Sequence, residues 1–485
     1  MPLRLSTSTL LAALLCCASF GAFANAQAPR DPARDAPRPA VPSAPQPAAS
    51  TASPSAAPTP SDAPPAANAP ASAPQDLTLV LSGNQRPLLK LAFPSLTGAG
   101  LSAGAAAAAR EVEQTLRDDL EASRIFSIQG PAELAALTLT GDQAKDFEQY
   151  VSLGNEVLLS GEIKEDEGKI ALEGRIMDLK SGQSILGKRY RGDGTVARRI
   201  AHTFADEIVL YFTGKRGVAL TNIAFYSDRD GAKEIYLMDS DGHNQRRITG
   251  HKSISMSPAW SANAEQIAYV SFFDGPPSIY LVDIATGAKR PVIADGPLNI
   301  SPSFSPDGKQ IAFTRSLSGN TEIFVCDVDG KNLRQLTHSP GIDTNPAWSP
   351  SGREIAFTSS RSGNPHIYIM DAEGTNVRRV TFEGEYNDGA TWRPDGTAIA
   401  YATRHGNSFD LALTDVVNLQ TRELTSGPGS KEKPSFSPDG RRIAYESSAG
   451  GSRQIWVIGA DGTGAHPITE GGNNMGPNWS SYPPN

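Results

Sequence analysis

Apolar positions in the second half of the chain return on a fixed step of 44 residues. Ile223-Ala224-Phe225 recurs as Ile267-Ala268-Tyr269, Ile311-Ala312-Phe313, Ile355-Ala356-Phe357, Ile399-Ala400-Tyr401 and Ile443-Ala444-Tyr445. Ile235-Tyr236 returns on the same step, with Leu411-Ala412 the weakest copy, and Asp239, Asp283, Asp327, Asp371 and Asp415 follow it until Gly459 breaks the series. Trp260, Phe304, Trp348, Trp392 and Phe436 are read as opening a further strand of each unit, with Trp479 one residue early. Short apolar runs bounded by Asp-Gly pairs such as Asp307-Gly308 predict strands joined by hairpins. Four strands every ~40–50 residues predict propeller blades. The first unit begins at its second strand, and Pro477-Asn478-Trp479-Ser480 supplies the missing one. The expected fold of residues 217–485 is therefore an all-β six-bladed propeller closed by its last strand, which leaves no open sheet edge.

The preceding stretch mixes both periods. Residues 77–81, 88–93, 156–163, 169–177 and 184–190 read as strands, whereas 105–123 and 196–212 carry apolar residues at helical spacing. Gly214 sits where a helix C-cap is expected. Residues 76–215 are thus expected to form a small α/β domain. From residue 27 to 75 the chain is mostly Ala, Pro, Ser and Thr, with 14 prolines, and reads as a disordered tether. Residues 1–26 read as a signal peptide, with Arg4 ahead of an apolar run at 10–20 and small-x-small cleavage options at Ala22-Phe23-Ala24 and Ala24-Asn25-Ala26. No later stretch is long enough to span a bilayer.

With 44 basic and 52 acidic residues the chain is mildly acidic, which argues against a nucleic-acid partner. Cys16 and Cys17 lie in the leader, so Cys326 is left alone and the fold must rest on packing. No His-Glu-x-x-His pair or Cys/His cluster is present. The Gly98-Ala99-Gly100…Gly104 run lacks the spacing of a dinucleotide loop, and the Asp239-Ser240-Asp241-Gly242 and Asp327-Val328-Asp329-Gly330 runs lack the closing Glu of a calcium loop. They read as turns, and His202 as structural. Neither cofactor nor metal is expected, and the chain is expected to act as a monomer.

Topology supplies the candidate binding site. Each connection between blades must cross one rim and descend into the central channel, so residues just before the Trp/Phe strands should ring its mouth. They are Ser255, Met256, Leu298, Asn299, Ser301, Asp343, Thr344, Asn387, Asp388, Lys431, Glu432, Asn474 and Met475. Their type changes from blade to blade, as expected of rim residues free to encode a partner. Three carboxylates against one lysine should favour a basic patch or a bound cation.

After Asp76 the chain resembles the TolB family, periplasmic proteins of the Tol–Pal envelope system. The resemblance rests on Leu91-Ala92-Phe93-Pro94, on Asp119-Leu120-x-x-Ser123-x-x-Phe126, and on Arg199-Ile200-Ala201-His202-Thr203-Phe204-Ala205-Asp206-x-Ile208 with Thr213-Gly214. Arg124 stands where the family has a glycine. The resemblance implies a non-enzymatic bridge between the outer-membrane lipoprotein Pal, bound at the channel mouth, and inner-membrane TolA, contacted by the mature N-terminus. It implies a role in envelope integrity and outer-membrane constriction during division. Thr344 falls at a position the family uses for Pal, and Leu298 where some relatives carry histidine. Here the tether sets the mature N-terminus some 50 residues from the α/β domain. The competing readings are a propeller enzyme, such as a lyase or peptidase accessory acting on envelope polymers, and a structural scaffold.

Overall fold

The computed structural model describes residues 88–317 and 319–483. The leader with Cys16 and Cys17, the Ala/Pro-rich segment and the strand expected at 77–81 lie outside them.

Five strands, β1 (Leu89–Ala92), β2 (Phe126–Gln129), β3 (Val157–Asp166), β4 (Lys169–Asp178) and β5 (Gln183–Gly192), form one sheet in the order β2-β1-β3-β4-β5. β1 runs parallel to both its neighbours, and β3 to β5 are antiparallel. Helices α1 (Ala103–Ala122) and α4 (Ala197–Thr213) cover one face; between them come α2 (Pro131–Leu134) and α3 (Gln143–Ser152). Val112, Leu116 and Leu120 of α1 meet Ile200, Phe204 and Ile208 of α4 over Leu91, Leu159, Leu172 and Ile176. Alternation along the strands sends Ala92, Leu158 and Met177 to the other face, where Leu134 and Tyr150 cover them. Gly214 ends α4 with φ 68°, as its place in the sequence predicts. β2, α2 and α3 were not foreseen: β2 has four residues and α3 has a single fully buried side chain, Tyr150, so neither leaves a strong periodic trace.

Six four-stranded sheets follow, each ordered from an inner strand outward. Blade 1 joins the two ends of the domain: Asn474–Trp479 is its inner strand, beside Asn222–Ser227, Glu234–Asp239 and Arg246–Arg247. Trp479 pairs with Ile223 and donates its indole N–H to Thr221 Oγ1 at 2.8 Å. The other inner strands are Ser255–Trp260, Leu298–Phe304, Asp343–Trp348, Asn387–Trp392 and Lys431–Phe436. The aromatic residue therefore ends each inner strand rather than opening it. The five residues before it pair with the second strand too, although little in their composition says strand.

The Ile-Ala-aromatic repeat has a packing cause. Successive side chains of a strand point to opposite faces, so Ile and the aromatic face one neighbouring blade while Ala faces the other. At the seam of blades 1 and 2, Ala224, Ile235 and Leu237 receive Trp260, Ile267, Tyr269 and Tyr280. The same match closes the ring, where Ala444, Ile455 and Val457 of blade 6 receive Ile223, Phe225, Tyr236 and Trp479 of blade 1. Small against large lets tapered blades interlock without voids. Cys326 fills one such position, fully buried, and burial pushes its thiol up to about 12, so it is inert.

Candidate functional site

Neighbouring inner strands touch all round the ring, so they surround the channel. Their first residues lie at the rim that also carries the hairpins between second and third strands, since Ser255 pairs with Ser271 and Asp343 with Ser359.

Of the thirteen residues expected to ring the mouth, nine are buried: Ser255, Met256, Leu298, Asn299, Asp343, Asn387, Lys431, Asn474 and Met475. Ser301, Thr344, Asp388 and Glu432 are half-buried. The solvent-lining reading is thereby corrected for the nine, because these residues belong to the strand and not to a loop before it. In three blades the opening residue of the inner strand meets a residue at or near the start of the third strand of the preceding blade. Lys431 Nζ lies 3.0 Å from Asp410 Oδ1, Asn474 donates to Gln454 Oε1 at 2.7 Å, and Asn387 Nδ2 lies 3.0 Å from His366 Nδ1. Burial, and after it the Arg379 charge, push His366 down to about 4, so it is neutral in this pair. Residue type changes from blade to blade here because each seam has its own partner to match. Met256, Leu298 and Met475 join Tyr226, Val270 and Ile300 in an apolar cluster.

The expected acidic mouth is also largely neutralised. Asp343 pairs with Arg361 at 2.9 Å, Glu432 with Arg453 at 3.1 Å, and Lys431 with Asp410. Asp388 is held instead by Asn345 Nδ2 and Thr358 Oγ1, each at 2.7 Å.

Sequence reasoning singled out Ser301 but not its equivalents, the residue that bulges in each inner strand. Ser257, Ser301, Asn345, Gly389, Lys433 and Gly476 all have φ between 52° and 67°, and each lies in a β-bulge. A bulge re-aims a side chain. Here it builds an arc across three blades: Ser301 donates to Asn345 at 2.7 Å, and Asn345 to Asp388. The available signal was a small or polar residue followed by proline in five of the six copies. On the same rim Phe273, Leu317, Ile342 and Phe382 are exposed, at 53 %, 55 %, 46 % and 60 %.

The opposite rim carries the α/β domain. Arg198 of α4 pairs with Asp241 in the turn after the third strand of blade 1, and donates to Thr115 of α1 at 3.0 Å. His202 Nδ1 lies 2.6 Å from Asp119, and its Nε2 is 3.9 Å from Asp241. Burial opposes the charged imidazole, but the Asp119 hydrogen bond and charge outweigh it, so the His202 pKa is raised. Asp119, His202 and Asp241 bring ligand atoms within 4.8 Å of one another, and the cation beside them is the Arg198 guanidinium. Asp206 accepts from the amides of Ala219 and Leu220, and burial raises its carboxyl to about 6.

Two departures seen in the sequence meet here. Arg124 has φ 59°, a conformation that suits glycine, and its guanidinium reaches Asp461 at 3.0 Å and Thr463 O at 2.9 Å on blade 6. A Cβ on Gly459 would sit 2.7 Å from that guanidinium. The position at which the repeat loses its Asp thus lies beside the Arg124 guanidinium and the Asp461 carboxylate.

Comparison with known proteins agrees with this architecture. The family described as TolB beta propeller domain matches residues 210–483, and the TolB amino-terminal domain matches 77–185. A Tol-Pal system protein TolB of Geobacter metallireducens is 39% identical over 159 residues, 33% of this chain and 37% of the relative. That of Anaeromyxobacter dehalogenans is 34% identical over 204 residues, 42% of this chain and 46% of the relative. These matches span less than half the length of those relatives. The crystal structure of TolB from Acinetobacter baumannii superposes with a TM-score of 0.71 at 28% identity, covering 82% of this chain and 98% of that one.

Proposed function

This chain belongs to the TolB family, and from that membership we infer a non-enzymatic, protein-binding component of the Tol–Pal system that works in the periplasm. It docks the lipoprotein Pal on the channel-mouth rim, and a segment ahead of the α/β domain contacts TolA. The protein thereby links outer-membrane Pal to the inner membrane for envelope integrity and constriction at division.

The observation that carries this reading is the separation of the two rims. One is occupied by the α/β domain through Arg198–Asp241 and Arg124–Asp461. The other presents exposed Phe273, Leu317, Ile342 and Phe382, and half-buried Thr344. Apolar anchors near a polar floor are what a protein partner needs for a hot spot. Against an enzyme, the Asp119–His202 contact is buried at the junction with the α/β domain rather than in the channel.

Titrating Pal by calorimetry into Ile342→Arg and Thr344→Arg tests the reading. Both are expected to lose affinity at least ~100-fold, the range of a disrupted hot spot. Wild-type affinity in both would move the site elsewhere. Asp388→Arg is a poorer probe, because it would also break the Asn345–Asp388–Thr358 arc.

A further inference from the structure

The junction between the α/β domain and the propeller holds a side-chain cluster that docking at the mouth does not use. His202 of α4 is buried, with its side chain 4 % exposed. Its Nδ1 lies 2.6 Å from the Asp119 carboxylate of α1. A carboxylate only accepts, so the ring hydrogen sits on Nδ1 and the lone pair on Nε2. Nε2 faces Asp241 Oδ2, in the turn after the third strand of blade 1, at 3.9 Å. That gap is too long for a hydrogen bond, and Nε2 is buried with no hydrogen-bond partner among the described residues. On its other oxygen, Oδ1, Asp241 lies 3.3 Å from Nδ1 of His243, whose side chain is exposed.

Asp119 favours the charged imidazole, yet a proton on Nε2 finds no acceptor within reach. A metal ion fits the gap better. Imidazole nitrogen binds zinc at about 2.0–2.1 Å and carboxylate oxygen at about 2.0–2.2 Å. One ion between Nε2 and Asp241 therefore touches both across 3.9 Å. We propose that His202 Nε2, Asp241 and His243 bind a zinc ion that clamps the α/β domain to blade 1. Asp119 is a positioning residue: it fixes the ring hydrogen on Nδ1 and turns Nε2 toward the ion, as carboxylates behind metal-binding histidines do.

Charge and ligand chemistry agree with this. Asp119, Asp206 and Asp241 stand against two guanidiniums, Arg198 and Arg442, which leaves one negative charge over while the imidazole is neutral. Arg198 pairs with Asp241 without excluding the ion, since a carboxylate that ligates a metal is itself hydrogen-bonded. Two imidazoles and one carboxylate suit zinc, whereas calcium and magnesium take oxygen ligands. The ligands come from α4 on one side and the turn of blade 1 on the other, so the ion ties the two domains together whatever docks at the mouth. Asp119 and His202 lie 83 residues apart, so no local spacing announces the site.

Zinc titrated by calorimetry into the full, untagged chain, stripped beforehand with EDTA, tests the proposal. Wild type should take up one equivalent, and zinc should raise its melting temperature. His202→Gln and Asp241→Asn should lose both effects. Asp119→Asn should weaken binding about 10–100-fold, the worth of a group that orients a metal ligand. His243→Ala removes an exposed side chain and so keeps the test decisive if the buried variants fold poorly; it should weaken binding at least ~tenfold. No uptake by wild type would overturn the proposal. Uptake undiminished in either histidine variant would overturn it too, because the ion would then lie elsewhere.

Discussion

The two rims of the propeller are built from one repeat and put to opposite uses. At the mouth, the residues that open the inner strands vary around the ring, yet Asn387, Lys431 and Asn474 are spent on the adjoining blade. At the opposite rim, Asp241 and Asp461 sit in turns whose side chains do the same capping work as Asp329, accepting from the amide two residues on. Those two unremarkable turns carry the contact with the α/β domain. Variation along a repeat therefore does not identify a binding surface, because a seam can vary as freely when both its partners vary together. Exposed large apolar side chains occur at both rims, Phe273, Leu317, Ile342 and Phe382 at the mouth and Leu333, Val377, Val417 and Leu419 in turns of the other.

The largest expected effect tests closure. Removing residues 477–485 should unzip blade 1, expose strand edges on both sides and abolish cooperative unfolding. Trp479→Ala, which keeps the strand, should cost about 3–5 kcal/mol by loss of a buried indole, read from denaturant unfolding. An unchanged melting curve for the truncation contradicts a ring closed by its last strand.

Next come the seam pairs. Lys431→Ala leaves Asp410 buried without its cation and should cost about 3–5 kcal/mol. Writing the neighbouring seam into this one, with Asp410→Gln and Lys431→Asn together, should recover most of that loss in a double-mutant cycle. Additive costs would mean that the positions are independent after all.

Contacts at the opposite rim are smaller. Asp241→Asn should cost about 1.5–3 kcal/mol, the worth of a charged hydrogen bond, and His202→Gln should remove a pH dependence. Because the His202 pKa is raised in the folded state, its contribution is complete below the ordinary histidine value and fades as pH rises through the folded one. Stability that falls more steeply in wild type than in the variant as pH rises from 5 to 8 is the expected pattern. The smallest effect is Arg124→Gly, within about 1 kcal/mol, since relief of its positive φ offsets the lost pair with Asp461.

These comparisons also show what could be read from residues alone. The six Ile-Ala-aromatic runs, Trp479 in the first blade and the Gly214 cap were legible because each depends on local periodicity or a single backbone conformation. β2 and α3 were not, being short and sparsely buried. The mouth was misjudged because Trp260 and its equivalents end their strands. Positions such as Asp343 and Lys431 thus looked like loop residues, and their partners Arg361 and Asp410 lie about 20 residues away in sequence. Arg124 and Gly459 were visible as oddities, but only the fold shows that they are neighbours.

The central claim is that the mouth rim, not the one bearing the α/β domain, receives Pal. Amide hydrogen exchange of the full chain with and without Pal tests it most directly. Slowed exchange should appear around Phe273, Leu317, Ile342 and Phe382, with none around Asp241 and Asp461. Protection confined to the turns at Asp241 and Asp461, with the mouth unchanged, would contradict the account.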